Sequence, residues 1–322
     1  MRYRIARSLL IAVALVGAAG EALAQAYPNR ATRLIVSFPP GGPADLLGRF
    51  IAQKLSESFG QQVVVENRPG ANSIIAAELT AGSAPDGYTL LMAIDGVLVM
   101  NPSLYSKLPY DPIKDFAPVG LVALIPNLIV ANNAFAANSF RELVARAKAE
   151  PGKINVGTGA LPVQLAFELL MRQAGMKMQI VPYKGGNTTI TALMANEVPV
   201  TVEGISTGLP FIRAGKVKAL AVTSAERLRQ APEIPTVAES GVPGYSFAVW
   251  QSVVAPARTP RPVIDRLNAE LQKMMQLPEA RERLGTLGIE PAWGTPEDLA
   301  ERIRVDGEKW GKIIHEIGLK LD

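Results

Sequence analysis

The chain has 322 residues, with 33 basic and 29 acidic side chains, one histidine and no cysteine. These counts exclude disulfides, thiolate metal sites, a cysteine nucleophile and histidine-rich metal sites. No Lys/Arg run stands out and aromatic residues make up only 6% of the chain, so we expect no nucleic-acid binding, and we expect no cofactor or metal.

The first 24 residues have the three parts of an export signal. Arg2, Arg4 and Arg7 form a basic start, residues 9–20 are apolar or small, and Ala-Leu-Ala at 22–24 is typical of a cleavage site. The apolar run is too short to span a bilayer comfortably. We therefore predict a cleaved signal peptide at 1–24 and a periplasmic protein. The remaining length suggests two domains.

Strand-like and helix-like segments alternate along the rest of the chain. The first part predicts strands at 32–38, 62–66, 89–94 and 121–130 (broken at Pro126), helices at 43–59 and 73–81, a short helix from 97, and a loop at 108–119. The second part predicts strands at 153–156, 179–182, 198–202, 219–223 and 249–255, helices at 139–149, 162–173, 188–196, 260–275, 278–287 and 295–321, and a helical turn at 209–213. This alternation predicts an α/β fold with mainly parallel sheets, whose ligands bind at the carboxyl ends of the strands.

Two of the predicted strands run into glycine pairs that open a helix. The first reads Phe38-Pro39-Pro40-Gly41-Gly42, with Asp45 in the first helical turn, and the second reads Tyr183-Lys184-Gly185-Gly186. Helix N-termini carry unpaired N–H groups and favour negative charge, and glycine lets a ligand approach the backbone. Two such loops that face each other would hold a small carboxylate or phosphate. The alternative is two ordinary tight connections.

Several motifs occur in the same order as in one known family, and together they span essentially the whole mature chain. They are FPPGG at 38–42 with Asp45, VENRPGA at 65–71, PDGYTL at 85–90, NPSLY at 101–105, LPYDP at 108–112, VPYKG at 181–185 and ALAVT at 219–223. In these motifs the chain resembles the Bug family, which are periplasmic solute receptors of the tripartite tricarboxylate transporter type.

The resemblance implies a two-lobe periplasmic-binding-protein (Venus flytrap) fold with two crossovers. Lobe one would comprise residues 27–124 plus 249–322, and lobe two residues 125–248. A small organic anion would bind between the lobes, held largely by N–H groups of the two glycine-rich loops. The expected partners are membrane transporter subunits or a sensor, and the expected state is a monomer. The sequence does not identify which carboxylate is bound.

The chain departs from the family pattern at two places that line the cleft in the family. It has Gly-Thr-Gly-Ala at 157–160, with Gln164 near a usual histidine, and Val202-Glu203 in place of Phe-Asp. Asp95 and Glu203 end strands and could accept an ammonium or hydroxyl group, while Lys184 could pair with either carboxylate or with the ligand. The expected ligand-binding residues are Phe38, Pro40, Gly41, Gly42, Asp45, Asp95, Thr158, Gly159, Tyr183, Lys184, Gly185 and Glu203.

The alternative function is an exported serine esterase. Residues 204–208 read Gly-Ile-Ser-Thr-Gly, the pattern of a nucleophile elbow, and His315 follows in the right chain order. His315, however, falls inside the final helical pattern, and no HGGG-type oxyanion motif is present. We therefore expect no catalytic residue. Trp250 lies at a predicted crossover, where it could report closure or serve as a core anchor.

Overall fold

The computed structural model describes residues 27–321, so the predicted signal peptide lies outside the described residues. The helices in this range are α1 (Pro43–Phe59), α2 (Ile74–Ala81), α3 (Asn101–Leu104), α4 (Phe140–Ala149), α5 (Leu161–Ala174), α6 (Gly186–Met194), α7 (Ile205–Arg213), α8 (Arg261–Met275), α9 (Pro278–Thr286) and α10 (Pro296–Ile317). A 3-10 turn (Ala71–Ser73) precedes α2 and a π-helical turn (Gly96–Met100) precedes α3. Within residues 27–321, no helix has both the length and the apolarity needed to cross a membrane.

The strands are β1 (Thr32–Val36), β2 (Val63–Asn67), β3 (Thr89–Ile94), β4 (Phe116–Asn132), β5 (Asn155–Thr158), β6 (Gln179–Pro182), β7 (Val200–Gly204), β8 (Val217–Val222), β9 (Ala248–Pro256) and β10 (Glu290–Pro291). They follow the order β2-β1-β3-β9-β4-β7-β5-β6, and β8 and β10 also pair with β4. The result is the expected α/β fold with two lobes, each built on one part of the sheet.

Strand β4 is shared by the two lobes. Its first half pairs with β9 and β10, and its second half pairs with β7 and β8. The change of partners occurs at Pro126, which pairs with Ala248 at the start of β9. Sequence reasoning predicted a break at Pro126, but the strand continues. A proline, which has no N–H group to donate, is tolerated where a strand leaves one ladder for another.

The sheet is mixed rather than mainly parallel. The outer strands pair in parallel as expected, β1 with β2 and β3, and β5 with β6 and β7. The two strands that link the lobes, β4 and β9, run antiparallel to each other and to their other neighbours. The parallel parts bring the carboxyl ends of β1, β3, β5 and β6 to the space between the lobes.

The most visible local difference concerns α7. The sequence predicted only a turn at 209–213, because Gly208 and Pro210 interrupt the helical pattern, yet the helix starts at Ile205, where Ile205 and Leu209 are buried. The Ser139 cap was predicted correctly, since its hydroxyl accepts the Glu142 N–H at 3.2 Å. Strand β10 was missed because two residues carry no periodicity.

Trp250 is a buried anchor at the crossover. It lies in β9 opposite Leu124, and its ring N–H donates to Asp306 of α10 at 2.9 Å. The core-anchor interpretation is therefore correct. A role in reporting closure stays a prediction.

Candidate ligand cleft

A cleft of about 500 Å³ lies between the lobes. Lobe one supplies residues that follow β1, β2 and β3, and lobe two supplies residues that follow β5 and β6. Its lining is Ser37, Phe38, Pro39, Pro69, Gly70, Asn72, Ser73, Ile94, Gly96, Asn101, Thr158, Gly159, Ala160, Leu161, Pro162, Gln164, Pro182, Tyr183, Lys184 and Leu321. The cleft thus occupies the position expected for ligands of open α/β sheets.

Among residues 27–321, the lining carries one cation and no carboxylate. Lys184 is the charged side chain among these described residues, and it forms no ion pair with any residue of 27–321. Helix α5 begins at the cleft with Ala160 as its N-cap, which offers no side chain to satisfy the first N–H groups. Ser37 Oγ and Thr158 Oγ1 are buried and have no hydrogen-bond partner in the described part of the chain. These groups suit an anionic ligand.

The buried side chain of Asp45 stabilises the first glycine-rich loop through hydrogen bonds. Its carboxylate accepts the Gly41 N–H at 2.9 Å, Arg49 Nε at 2.8 Å and Asn67 Nδ2 at 2.9 Å. Burial opposes ionisation, but the hydrogen bonds from Arg49, Gly41 and Asn67 together lower the pKa of Asp45. Asn67 Nδ2 also donates to the Phe38 carbonyl at 2.9 Å, so the same network positions the part of the loop that reaches the cleft.

The first loop therefore does not meet the cleft as expected. Phe38 lines it, whereas Pro40, Gly41, Gly42 and Asp45 do not. Gly41 has a φ of 87°, a conformation that favours glycine, and this turn directs Pro40 and Gly41 toward solvent. The sequence pattern located the loop correctly but could not show which way it turns.

The loops after β5 and β6 pack into one unit. A Cβ on Gly159 would lie 2.7 Å from Gly185 C and 2.8 Å from Gly186 N, so only glycine allows this approach. The Tyr183 N–H donates to the Thr158 carbonyl at 2.8 Å and joins the loops further. Thr158, Gly159, Tyr183 and Lys184 line the cleft, whereas Gly185 is not among its lining residues. Their contact with a ligand stays a prediction.

Asp95 and Glu203 are turned away from the cleft, and each is only 1% exposed. Asp95 accepts the Gly96 N–H at 2.8 Å, and the backbone N–H of Trp250 also faces it. Burial raises the pKa of Asp95 to about 8. The expectation that this carboxyl accepts an ammonium or hydroxyl group of the ligand is not supported by its position.

Glu203 lies behind the second glycine-rich loop. A Cβ on Gly186 would come within 2.8 Å of Glu203 Oε2. Burial raises the pKa of Glu203 well above its ordinary value, although Thr189 and Thr201 are close. Neither carboxyl oxygen reaches hydrogen-bonding geometry with a described residue. Lys184 consequently pairs with neither Asp95 nor Glu203.

Sequence reasoning missed several lining residues, among them Ser73, Asn101 and Leu321. The backbone of the structure marks the part of the cleft that contains Asn72 and Ser73: the consecutive residues Ala71, Asn72 and Ser73 have φ values of 47°, 49° and 69°. Such left-handed conformations in non-glycine residues cost energy and cluster at binding sites. The Pro-Gly at 69–70 marks a turn there, but it does not predict this geometry.

The esterase elements are not assembled. Ser206 is packed beneath the loop that follows α9, where a Cβ on Gly288 would lie 2.8 Å from the Ser206 backbone nitrogen. The Ser206 hydroxyl has no hydrogen-bond partner within residues 27–321, and His315 is exposed on α10. A triad requires the base within hydrogen-bond reach of the nucleophile.

A family model described as "Tripartite tricarboxylate transporter family receptor" matches residues 47–319. The chain belongs to this receptor family. Protein BugT of Bordetella pertussis is 35% identical over 314 residues, which cover 97% of this chain and 96% of BugT. The resemblance to the Bug family is therefore confirmed, and membership makes the chain a solute-binding receptor rather than an enzyme.

Solved receptors share its structure. R. palustris Rpa4515 with adipate has a TM-score of 0.85 and 33% identity, covering 92% of this chain and 99% of that one. The periplasmic binding protein BugD has a TM-score of 0.80 and 33% identity, covering 91% and 99%. MatC (Rpa3494) from Rhodopseudomonas palustris with bound malate has a TM-score of 0.78 and 30% identity, covering 89% and 100%. Family membership assigns the receptor to the periplasm.

Proposed function

We propose that this receptor captures a small organic carboxylate in the cleft between its lobes and delivers it to membrane transporter subunits or to a sensor. The observation that carries the proposal is the lining formed by residues 27–321, which combines the uncapped start of α5, two hydroxyl groups without a partner in that range, and Lys184, with no carboxylate among them. Relatives solved with adipate and with malate support the same ligand class.

The lobes that close on the ligand are residues 27–124 plus 249–322 and residues 125–248, with the N-terminal signal removed at about residue 24. The change of partners in β4 at Pro126 and the start of β9 at Ala248 support these boundaries. The two lobes contact each other at two places: a Cβ on Gly96 would lie 3.1 Å from Pro162 Cγ, and Gln230 Nε2 donates to the Gly285 carbonyl at 3.0 Å.

The cleft is large enough for a small acid, since ligand pockets of about 300–1,000 Å³ hold larger molecules than these. Micromolar binding needs about 8 kcal/mol of net free energy. Charge-assisted hydrogen bonds to preorganised N–H groups supply it efficiently, because those groups are already held in place by the helix.

The test is a thermal-shift screen of the mature protein against mono-, di- and tricarboxylates, followed by calorimetry on the acids that raise the melting temperature. A ligand at 100 times its Kd stabilises the folded state by about 2.7 kcal/mol. Lys184→Gln should weaken binding roughly tenfold, because a hydrogen bond to a charged group is lost. Lys177→Gln is the matched control, since Lys177 is exposed on the same lobe outside the cleft. No stabilisation by any carboxylate would refute the proposal.

A further inference from the structure

The last residues of the described chain form a strap, residues 318–321, that reaches the cleft. Helix α10 ends at Ile317, and its C-cap Gly318 has a φ of 67°, which favours glycine and turns the chain away from the helix axis. The Leu321 N–H then donates to the Leu104 carbonyl at 3.0 Å, and Lys320 Nζ donates to the Ser103 carbonyl at 2.9 Å. These bonds tie the strap to α3, whose first residue, Asn101, lines the cleft.

Leu321 occupies an unusual environment for a leucine. It borders the cleft, it is 39% exposed, and it does not belong to either hydrophobic core of the described chain. Leu319, two residues earlier, packs against the main core instead. The strap therefore anchors itself through Leu319 and its hydrogen bonds while it leaves the Leu321 side chain available at the edge of the cleft.

Lobe two contacts the end of helix α10, just before the strap begins. Arg172 of α5 approaches Glu316 in the last turn of α10, with Nη1 3.9 Å from Oε2 and Nη2 3.4 Å from the Glu316 carbonyl oxygen. Helix α5 is also the element whose first turn lines the cleft. The same helix thus lines the ligand space and contacts the end of α10, from which the strap continues.

We propose that Leu321 is a specificity-determining residue that covers the hydrocarbon part of the bound carboxylate, so the strap favours acids with longer apolar bodies over short ones. This inference rests on the proposed function of the cleft. Its physical basis is the removal of apolar surface from water, which contributes about 0.8 kcal/mol per buried methylene group. Phe38, Ile94 and Pro162 contribute further apolar surface to the same cleft.

The test measures, by calorimetry, the binding of the linear dicarboxylates from succinate to suberate to the wild type and to Leu321→Ala. We expect the variant to lose roughly fivefold in affinity for the longest acids that the wild type binds, and less than twofold for the shortest. Leu321→Met should retain the wild-type profile because it keeps an apolar side chain of similar volume. Ile113→Ala is the surface control, since Ile113 is 66% exposed and lies outside the cleft.

A merely structural role for Leu321 would lower the melting temperature of the ligand-free protein and weaken all acids equally. A change in the ratio of long-chain to short-chain affinity, with an unchanged melting temperature, supports the inference. If Leu321→Ala binds every acid with the same affinity as the wild type, the inference about Leu321 is wrong, but the proposal that the protein is a carboxylate receptor stands. No binding of any carboxylate to the wild type overturns both.

Discussion

The close approach of the two loops in lobe two predicts a large effect of a single methyl group. In Gly159→Ala, the new Cβ would lie 2.7 Å from Gly185 C, 2.8 Å from Gly186 N and 3.0 Å from Thr189 Oγ1. The first two are backbone atoms, so no side-chain rotation relieves the overlap, and the loops must separate. Overpacking of this kind costs typically 1–3 kcal/mol.

Because the displaced loops carry Thr158, Tyr183 and Lys184 to the cleft, we expect the strain to appear in binding as well as in stability. A loss of about 1.4 kcal/mol corresponds to a tenfold higher Kd. Calorimetry with the best carboxylate gives the binding loss, and chemical denaturation of the ligand-free protein gives the stability loss.

Gly204→Ala is the matched control. Gly204 also lies in lobe two, but its φ and ψ of −61° and 147° suit alanine, and the nearest atom to a new Cβ is Ser206 Oγ at 3.9 Å. We expect this variant to bind normally and to lose less stability than Gly159→Ala, since the only cost is an alanine at the N-cap of α7, about 0.5–1 kcal/mol. Affinity and stability of Gly159→Ala within experimental error of Gly204→Ala would refute the packing argument.

Three further outcomes follow from the charged and polar groups around the cleft. Asp45→Asn should weaken carboxylate binding several-fold, because the variant loses the ion pair with Arg49 that stabilises the first loop. The control is Asp86→Asn, which removes an exposed ion pair with Arg30 and should leave the affinity unchanged. Calorimetry with the same carboxylate measures both affinities. Burial raises the pKa of Asp95 in the folded protein to about 8, whereas an unfolded aspartate has its ordinary pKa of 3.8, so the free energy of unfolding should fall as the pH rises between these values. The cost at pH 7 is on the order of 4 kcal/mol, and urea denaturation of Asp95→Asn should show a flatter pH profile; an unchanged slope would contradict the burial argument. Ser206→Ala should leave both the Kd and any background hydrolysis of p-nitrophenyl esters unchanged, whereas loss of hydrolysis would revive the esterase.

Most helices and strands could be predicted from the sequence where capping residues, turn residues and the apolar pattern all indicate the same element. Helix α1 was predicted with its observed bounds because Pro43 opens it, Gly60 ends it and a buried apolar face runs between them. Strand β3 was predicted with its observed bounds as an apolar run that follows a Pro-Asp-Gly turn. Errors arose where tertiary pairing overrides local preference, as at Pro126 in β4.

For the candidate site, the sequence predicted which loops form it but not which side chains face the cleft. Sequence reasoning placed Asp95 and Glu203 at strand ends, which is correct, but strand position does not show that both carboxyls turn into the protein. Leu321 could not be found at all, since its place beside the cleft depends on contacts with residues more than 200 positions earlier in the chain. Burial and side-chain direction are properties of the assembled fold.

The shared strand β4 limits how these lobes can be dissected. A single uninterrupted strand supplies central pairing partners to both sheets, and the main hydrophobic core contains residues of both lobes. Excising either lobe as a separate polypeptide would expose a ladder of unpaired backbone groups and an open apolar face. Neither lobe is therefore expected to fold as a separate polypeptide, and any division of the chain for experiment has to keep β4 together with both sets of its partners.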